Sequence, residues 1–289
     1  MIPEFLETWP LFRDAYLSGL LIAAVLGLVG AAVVARDQIF LGAAVSQASM
    51  FGIALGIRLS DLYAERLSER ALDVIHSLTG GLFAVLGSLL TSRSAGTDTR
   101  ESLTGWVFLV GASLSVLVVA HSPHGLAEVN RLATSTILGA HETDVRIFAF
   151  MLAISVAVVA LRRDALMLMT LDPEMARAVG IPVARWDRRL GIWLGVTVAF
   201  SMHVSGLLYT FGCLVLPGLI ARNVCRDASS ILVAAPLTGS LASLLAFVLA
   251  NSLDYPPGQL AVAVMGVLLA ASWFQRVARR ESAAAEGGA

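Results

Sequence analysis

A helix that crosses a lipid bilayer needs roughly 20 mostly apolar residues, and this chain carries nine runs that approach or meet that length. They cover residues 16–35, 39–57, 74–90, 103–120, 145–161, 190–202, 206–221, 231–250 and 260–274. The sixth and seventh are short and parted only by His203-Val204-Ser205, so they read either as two spans or as one bent element. Such a pattern predicts an all-α, polytopic integral membrane protein of eight or nine transmembrane helices. Composition agrees: the chain is 57% hydrophobic and 14% charged, where soluble domains carry about 25% charge. A net charge of -1 offers nucleic acid nothing to bind, and Cys213 and Cys225 form no disulfide or metal framework. The opening MIPEFLETWPLFRD is acidic and broken by prolines, unlike the basic start of a cleavable signal, so the first run reads as a retained span.

The longest polar interruption is 162–189, RRDALMLMTLDPEMARAVGIPVARWDRR. Its centre reads as a short helix. Asp172 suits the N-cap, Pro173 the first helical position and Glu174 the positive end of the dipole. Met175, Ala176, Ala178 and Val179 form a small apolar face before Gly180 and Pro182 stop the helix. Two turns are too short to be stable alone, so packing must hold the element. With nine spans and this loop inside, fourteen arginines fall on the inner side and six, namely Arg13, Arg58, Arg66, Arg70, Arg131 and Arg146, on the outer. That split predicts an outside N-terminus and a cytoplasmic C-terminus. Residues 1–275 form the membrane domain, with 162–189 as its cytoplasmic segment, and 276–289, rich in Ala, Glu and Gly, reads as a disordered cytoplasmic tail.

Two spans differ from plain lipid-facing helices. The second holds Gly42, Ser46, Gln47, Ser49, Gly52 and Gly56, and the seventh holds Gly212 and Pro217-Gly218. Small and polar residues recurring this way suit either close helix packing or the lining of a path, and a proline kink is tolerated where neighbours satisfy the freed backbone groups. Ser46, Gln47, Met50, Cys213 and Pro217 are the candidate path residues. Met50 and Cys213 add soft sulfur, although buried sulfur side chains more often serve packing. The interiors of the nine runs hold no Asp, Glu, Lys or Arg, the groups that ion-coupled carriers place mid-membrane. Driving energy must therefore enter from elsewhere, and 162–189 is the natural place.

Four segments, in order, resemble the membrane subunits of ABC importers, and more narrowly the zinc/manganese/iron permease family often called ABC-3. They are ARDQIFLGAAVSQASMFGIALG from Ala35, RESLTGWVFLVGASLSVLVV from Arg100, DPEMARAVGIPV from Asp172, and GLLYTFGCLVLPGLIARNV from Gly206 followed by DYPPGQLAV from Asp254. The likeness covers residues 10–275. It implies a type II importer fold in a bacterial inner membrane, a dimer of permease subunits, homomeric or heteromeric, a cytoplasmic ABC ATPase and an extracytoplasmic binding protein. On that resemblance Asp172, Glu174, Ala176, Arg177 and Gly180 lie on or beside the helix that couples to the ATPase. The chain has no GxxxxGK[ST] loop, so ATP belongs to the partner and the chain itself is not an enzyme and binds no cofactor.

Where many family members have Gly-Asp-x-x-x-His in the second span, this chain has Gly42-Ala43-Ala44-Val45-Ser46-Gln47. Ala43 ligates nothing, and the neutral amide of Gln47 is a poorer zinc ligand than imidazole or carboxylate. All five histidines, His76, His121, His124, His141 and His203, fall at outer positions, with Glu128, Glu142 and Asp144 near some of them. His203, beside Met202 and the kinked seventh span, is the single metal candidate. The expected function is ATP-driven import of a divalent metal such as zinc, manganese or iron. The alternatives are a permease for a metal chelate or other small solute, and a membrane scaffold that no longer transports.

Overall fold

The computed structural model describes residues 2–63, 69–92, 97–120 and 137–287. Its helices are α1 (Ile2–Ala35), α2 (Ile39–Tyr63), α3 (Glu69–Ser92), α4 (Thr97–Val119), α5 (Glu142–Leu171), α6 (Pro173–Ala178), α7 (Val183–Val224), α8 (Ala228–Leu253) and α9 (Pro257–Gly287), with a 3-10 turn at Ile137–Gly139. No strand occurs among the described residues. All but α6, eight helices, are long and apolar enough to cross a membrane. The sixth and seventh apolar runs share α7, which Gly206 interrupts with φ 78 and ψ 173. That backbone region is open to glycine and almost no other residue. Helix α9 continues to Gly287, into the stretch whose composition suggests disorder. Alanine, arginine and glutamate, which dominate that stretch, are strong helix formers, and the span before it has already supplied the costly nucleus.

The chain divides into two compact units. The first comprises Met1–Arg36, Ile137–Leu161 and Gly212–Ala289. Here α1 runs antiparallel to α8. At one end Thr8 Oγ1 bonds Asn251 Oδ1 at 3.0 Å, and Tyr16 stacks on Phe247 with centroids 5.5 Å apart. Toward the other end Ala31, Ala221 and Ala235 form one buried cluster. Glycine makes this closeness possible. A Cβ on Gly27 would lie 3.0 Å from the Ala235 carbonyl oxygen, and one on Gly30 would overlap the carbonyl of Leu214 in α7. Pro217 packs beside Gly239, whose added Cβ would meet the proline ring at 3.1 Å. Near the Val34 end of α1, the end of α7 is tied to the middle of α9. Arg222 donates to the Val34 carbonyl at 3.4 Å, Asn223 Nδ2 donates to Ser272 Oγ at 2.9 Å, and Arg276 donates to Asn223 Oδ1 at 3.1 Å.

The second unit comprises Asp37–Thr136 and Arg162–Phe211. Helix α3 runs antiparallel to α2, with Gly56 against His76, Gly52 against Thr79 and Phe83, and Gly87 against Ala48. Helix α4 runs parallel to α2: Val107 packs with Ala44 and Ala48, Gly111 meets the Gln47 backbone at 2.9 Å, and Val119 packs with Met50 and Ala54. The first part of α7 joins them, with Gly195 against Val85 and Met202 in the cluster of Met50, Ala54 and Val119. Both junctions inside helices fall close to breaks: α5 changes unit at Arg162, where φ is -129 and ψ 21, and α7 changes unit five residues beyond Gly206.

Candidate functional site

The short helix α6 is built as local chemistry dictates. Asp172 caps it, its Oδ1 accepting from the Glu174 N–H at 3.1 Å and the Met175 N–H at 2.9 Å. Pro173 opens the helix, where its missing N–H is harmless. At the far end the Gly180 N–H bonds the Arg177 carbonyl at 3.0 Å and the Ile181 N–H bonds the Ala176 carbonyl at 2.9 Å. These two bonds form a Schellman closure with Gly180 at φ 84. Glu174 in the first turn and Arg177 in the last both interact favourably with the helix dipole.

Packing supplies the stability that six residues lack. Ala176 is fully buried among Met169 and Val183, with Leu168, Ile181, Trp186 and Leu190 around them. The Arg189 guanidinium lies 5.4 Å over the Trp186 ring, a cation–π contact on the same platform. The apolar face read from the sequence is mostly turned outward. Only Ala176 is seated, while Leu171, Met175 and Val179 are exposed at 63%, 51% and 54%. Met175 and its fourth successor Val179, the C-cap, are exposed on α6, Leu171 is exposed at the end of α5 just before it, and Asp172, Glu174, Arg177 and Gly180 are exposed as well. A rigid knob of this kind is suited to insertion into a partner's groove. Replacing Asp172 with alanine should weaken α6 by about 1 kcal/mol, seen as faster amide exchange at Glu174 and Met175 with little change in the melting temperature of the whole chain.

The candidate path residues divide between the units. Ser46, Gln47 and Met50 stand on α2 in the second, and Cys213 and Pro217 on the last part of α7 in the first. Ser46 is buried and donates to the Gly42 carbonyl at 2.9 Å, so its own helix uses the hydroxyl. Gln47 is partly buried. Met50 packs with Ala54, Val119 and Met202, and Cys213 is fully buried. His203 lies in the second unit, partly buried, its Nδ1 sealed from solvent without a hydrogen-bond partner. Among the described residues no three His, Cys, Asp or Glu side chains converge as a metal site. His76 is instead paired: Ser60 Oγ donates to the Ile57 carbonyl at 2.7 Å, so at 3.0 Å it accepts from His76 Nε2. His121, His124 and Glu128 lie outside the described residues.

Sequence reading singled out Ser49 in the second span but missed the other buried hydroxyls of its kind. Ser49, Ser88 and Ser201 are fully buried with Oγ atoms that have no partner. Other serines and threonines in these helices bond back to the carbonyl four residues earlier, as Ser46, Thr91, Thr197 and Ser205 do. The spacing of Thr197, Ser201 and Ser205, four apart on α7, was the available signal.

Eight helices long and apolar enough to cross a membrane, with a capped and packed short helix on a polar segment, define a multi-pass membrane protein. Residues 8–275 match the ABC 3 transport family, and the chain belongs to it: it is a permease subunit of an ABC transporter, not an enzyme. A "Probable metal transport system membrane protein" of Thermotoga maritima is 27% identical over 90% of this chain and 88% of its own length. The "Chelated iron transport system membrane protein YfeD" of Yersinia pestis is 24% identical over 90% and 83%. Among solved structures, PsaBC from Streptococcus pneumoniae in complex with Fab superposes with a TM-score of 0.77 at 19% identity, covering 94% of this chain and 95% of that one.

Proposed function

We propose that this permease imports a divalent metal ion, zinc, manganese or iron, driven by ATP hydrolysis in a cytoplasmic ABC ATPase that grips α6. The observation that carries the coupling role is the exposure of Met175 and Val179, with Leu171 just before them, around a short helix anchored through Ala176. Metal as cargo is supported by the names of the Thermotoga and Yersinia relatives. In this reading two permease subunits pair, an extracytoplasmic binding protein delivers the cargo, and the chain sits in the bacterial inner membrane with its N-terminus outside. The fourteen-to-six arginine split supports that orientation. Residues 1–275 serve as the permease domain, with Ser46, Gln47, Met50, Cys213 and Pro217 beside the route and His203 as the metal contact.

Vesicles holding the permease with its ATPase and binding protein should accumulate zinc, manganese or iron only when ATP is supplied. Uptake of a different solute, with none of these metals carried, would overturn the cargo assignment. A second reading, a chelated metal as cargo, is favoured by Ala43 and Gln47, which offer a bare cation no charge. It predicts that uptake requires the chelator and stops when free metal is supplied alone.

A further inference from the structure

The exposed arginines described in the first unit are of two kinds. Near the start of α1, Arg13 Nε lies 3.2 Å from Asp14 Oδ1, and at the start of α5, Arg146 Nη2 lies 2.7 Å from Glu142 Oε1, so each has its own carboxylate. Beyond the end of α7 and on α9 the pattern changes. Arg226 and Arg276 are exposed, and among the described residues neither has a carboxylate within ion-pair distance. Asp227, next to Arg226, turns both carboxylate oxygens to Ser230: Oδ2 accepts from the Ser230 N–H at 2.8 Å and Oδ1 from its hydroxyl at 2.9 Å.

Hydrogen bonds give this basic corner a fixed shape. Asn223 at the end of α7 donates to Ser272 Oγ at 2.9 Å and accepts from Arg276 Nη1 at 3.1 Å. Arg276 is thereby held beside Asn223, which precedes Arg226 in the chain by one short stretch. A guanidinium carries five N–H donors in a planar fork, so one bond to an amide leaves Arg276 able to grip an anion as well. The surroundings are apolar. Trp273, Arg276 and Val277 stand at i, i+3 and i+4 on α9 and are all exposed. Val267 and Phe274, two turns apart on the same helix, are exposed too. On a helix long and apolar enough to cross a membrane, such a strip belongs against lipid, and tryptophan concentrates at the level of the headgroups. A protein partner from the aqueous phase has no use for that strip, whereas a lipid matches both its apolar run and the cations at its end.

We propose that Arg226 and Arg276 hold the phosphate of an anionic phospholipid, with Trp273 at the level of its headgroup and the exposed strip of α9 against its acyl chains. The site is independent of the cargo, metal or chelate. Native mass spectrometry of the full chain, released from micelles that mix phosphatidylglycerol with phosphatidylcholine, reads the preference for the anionic lipid. Each arginine beside an anionic headgroup contributes about fivefold, so Arg226→Gln/Arg276→Gln should reduce that preference about 25-fold. Arg226→Lys/Arg276→Lys, which keeps the charges, should retain most of it, and this separates lost charge from lost folding. Arg13→Gln/Arg146→Gln makes the same change in net charge at arginines that already have carboxylates. It should leave the preference intact, and an equal loss there would overturn the site in favour of bulk charge. Excess glycerol phosphate should not displace the lipid, and displacement would mean that a soluble phosphate is the ligand instead. An unchanged lipid preference in the Gln pair, with binding of the cognate ATPase lost, would assign these arginines to a protein partner and sink the proposal.

Discussion

A Glu174→Arg/Gly180→Arg permease is expected to lose ATP-driven uptake by on the order of tenfold or more, which corresponds to about 1.4 kcal/mol or more of lost coupling. Two local effects combine. Arginine at Gly180 must hold φ 84, a left-handed conformation that costs a side-chain-bearing residue about 1–2 kcal/mol. Relieving it breaks the closure that presents Val179. Arginine at position 174 places positive charge at the positive end of the α6 dipole, an unfavourable change of about 0.3–1 kcal/mol, and reverses the charge beside Met175. Ala176 keeps its pocket in the double variant, so the membrane domain should still fold and insert. The measurements are uptake and the permease-stimulated ATPase rate in reconstituted vesicles. A scaffold without transport would be indifferent, and normal stimulation and uptake would sink the coupling role of α6.

Gly30→Val should cause the largest loss of folded protein of any single change in α1. Any Cβ at this position would overlap the Leu214 carbonyl, and main chain cannot swing aside as the tip of a side chain can. Overpacking a close-fitted core typically costs about 1–3 kcal/mol, and a backbone collision should exceed it. Gly81→Ala is the matched control, because nothing lies within 4 Å of its added Cβ and alanine gains about 0.5–1 kcal/mol over glycine in a helix. Detergent melting curves and membrane yield should separate the two, and equal stability would show that the α1–α7 seam is looser than its geometry implies.

The parts of this protein that were legible in the sequence are those decided by neighbouring residues. Asp172, Pro173 and Gly180 predicted the bounds of α6 because capping is chemistry over a few positions. Apolar runs located the spans for the same reason. What the sequence did not disclose depends on distant partners. Nothing around Met175 or Val179 says that Ala176 alone would be seated, and although His203-Val204-Ser205 marked a join or bend between two apolar runs, the sequence did not say that the break falls at Gly206, whose φ divides α7. The candidate path was the least legible part. Ser46 answers its own helix, Met50 belongs to a packed cluster, and Cys213 stands in a different unit. Residue type alone cannot separate a conduit from a helix contact.

The glycine seam of the first unit has a consequence for how the permease is assembled. Most close contacts between side chains are made by freezing rotamers, at up to about 2 kcal/mol for the longest side chains. Where Gly27 and Gly30 meet the main chain of Ala235 and Leu214, there are no rotamers to freeze. The joint closes at almost no entropic cost from side chains, and it places no demand on which leucine, isoleucine or valine faces the lipid around it. A fold jointed this way can exchange much of its apolar surface and remain the same object, which fits a TM-score of 0.77 at 19% identity.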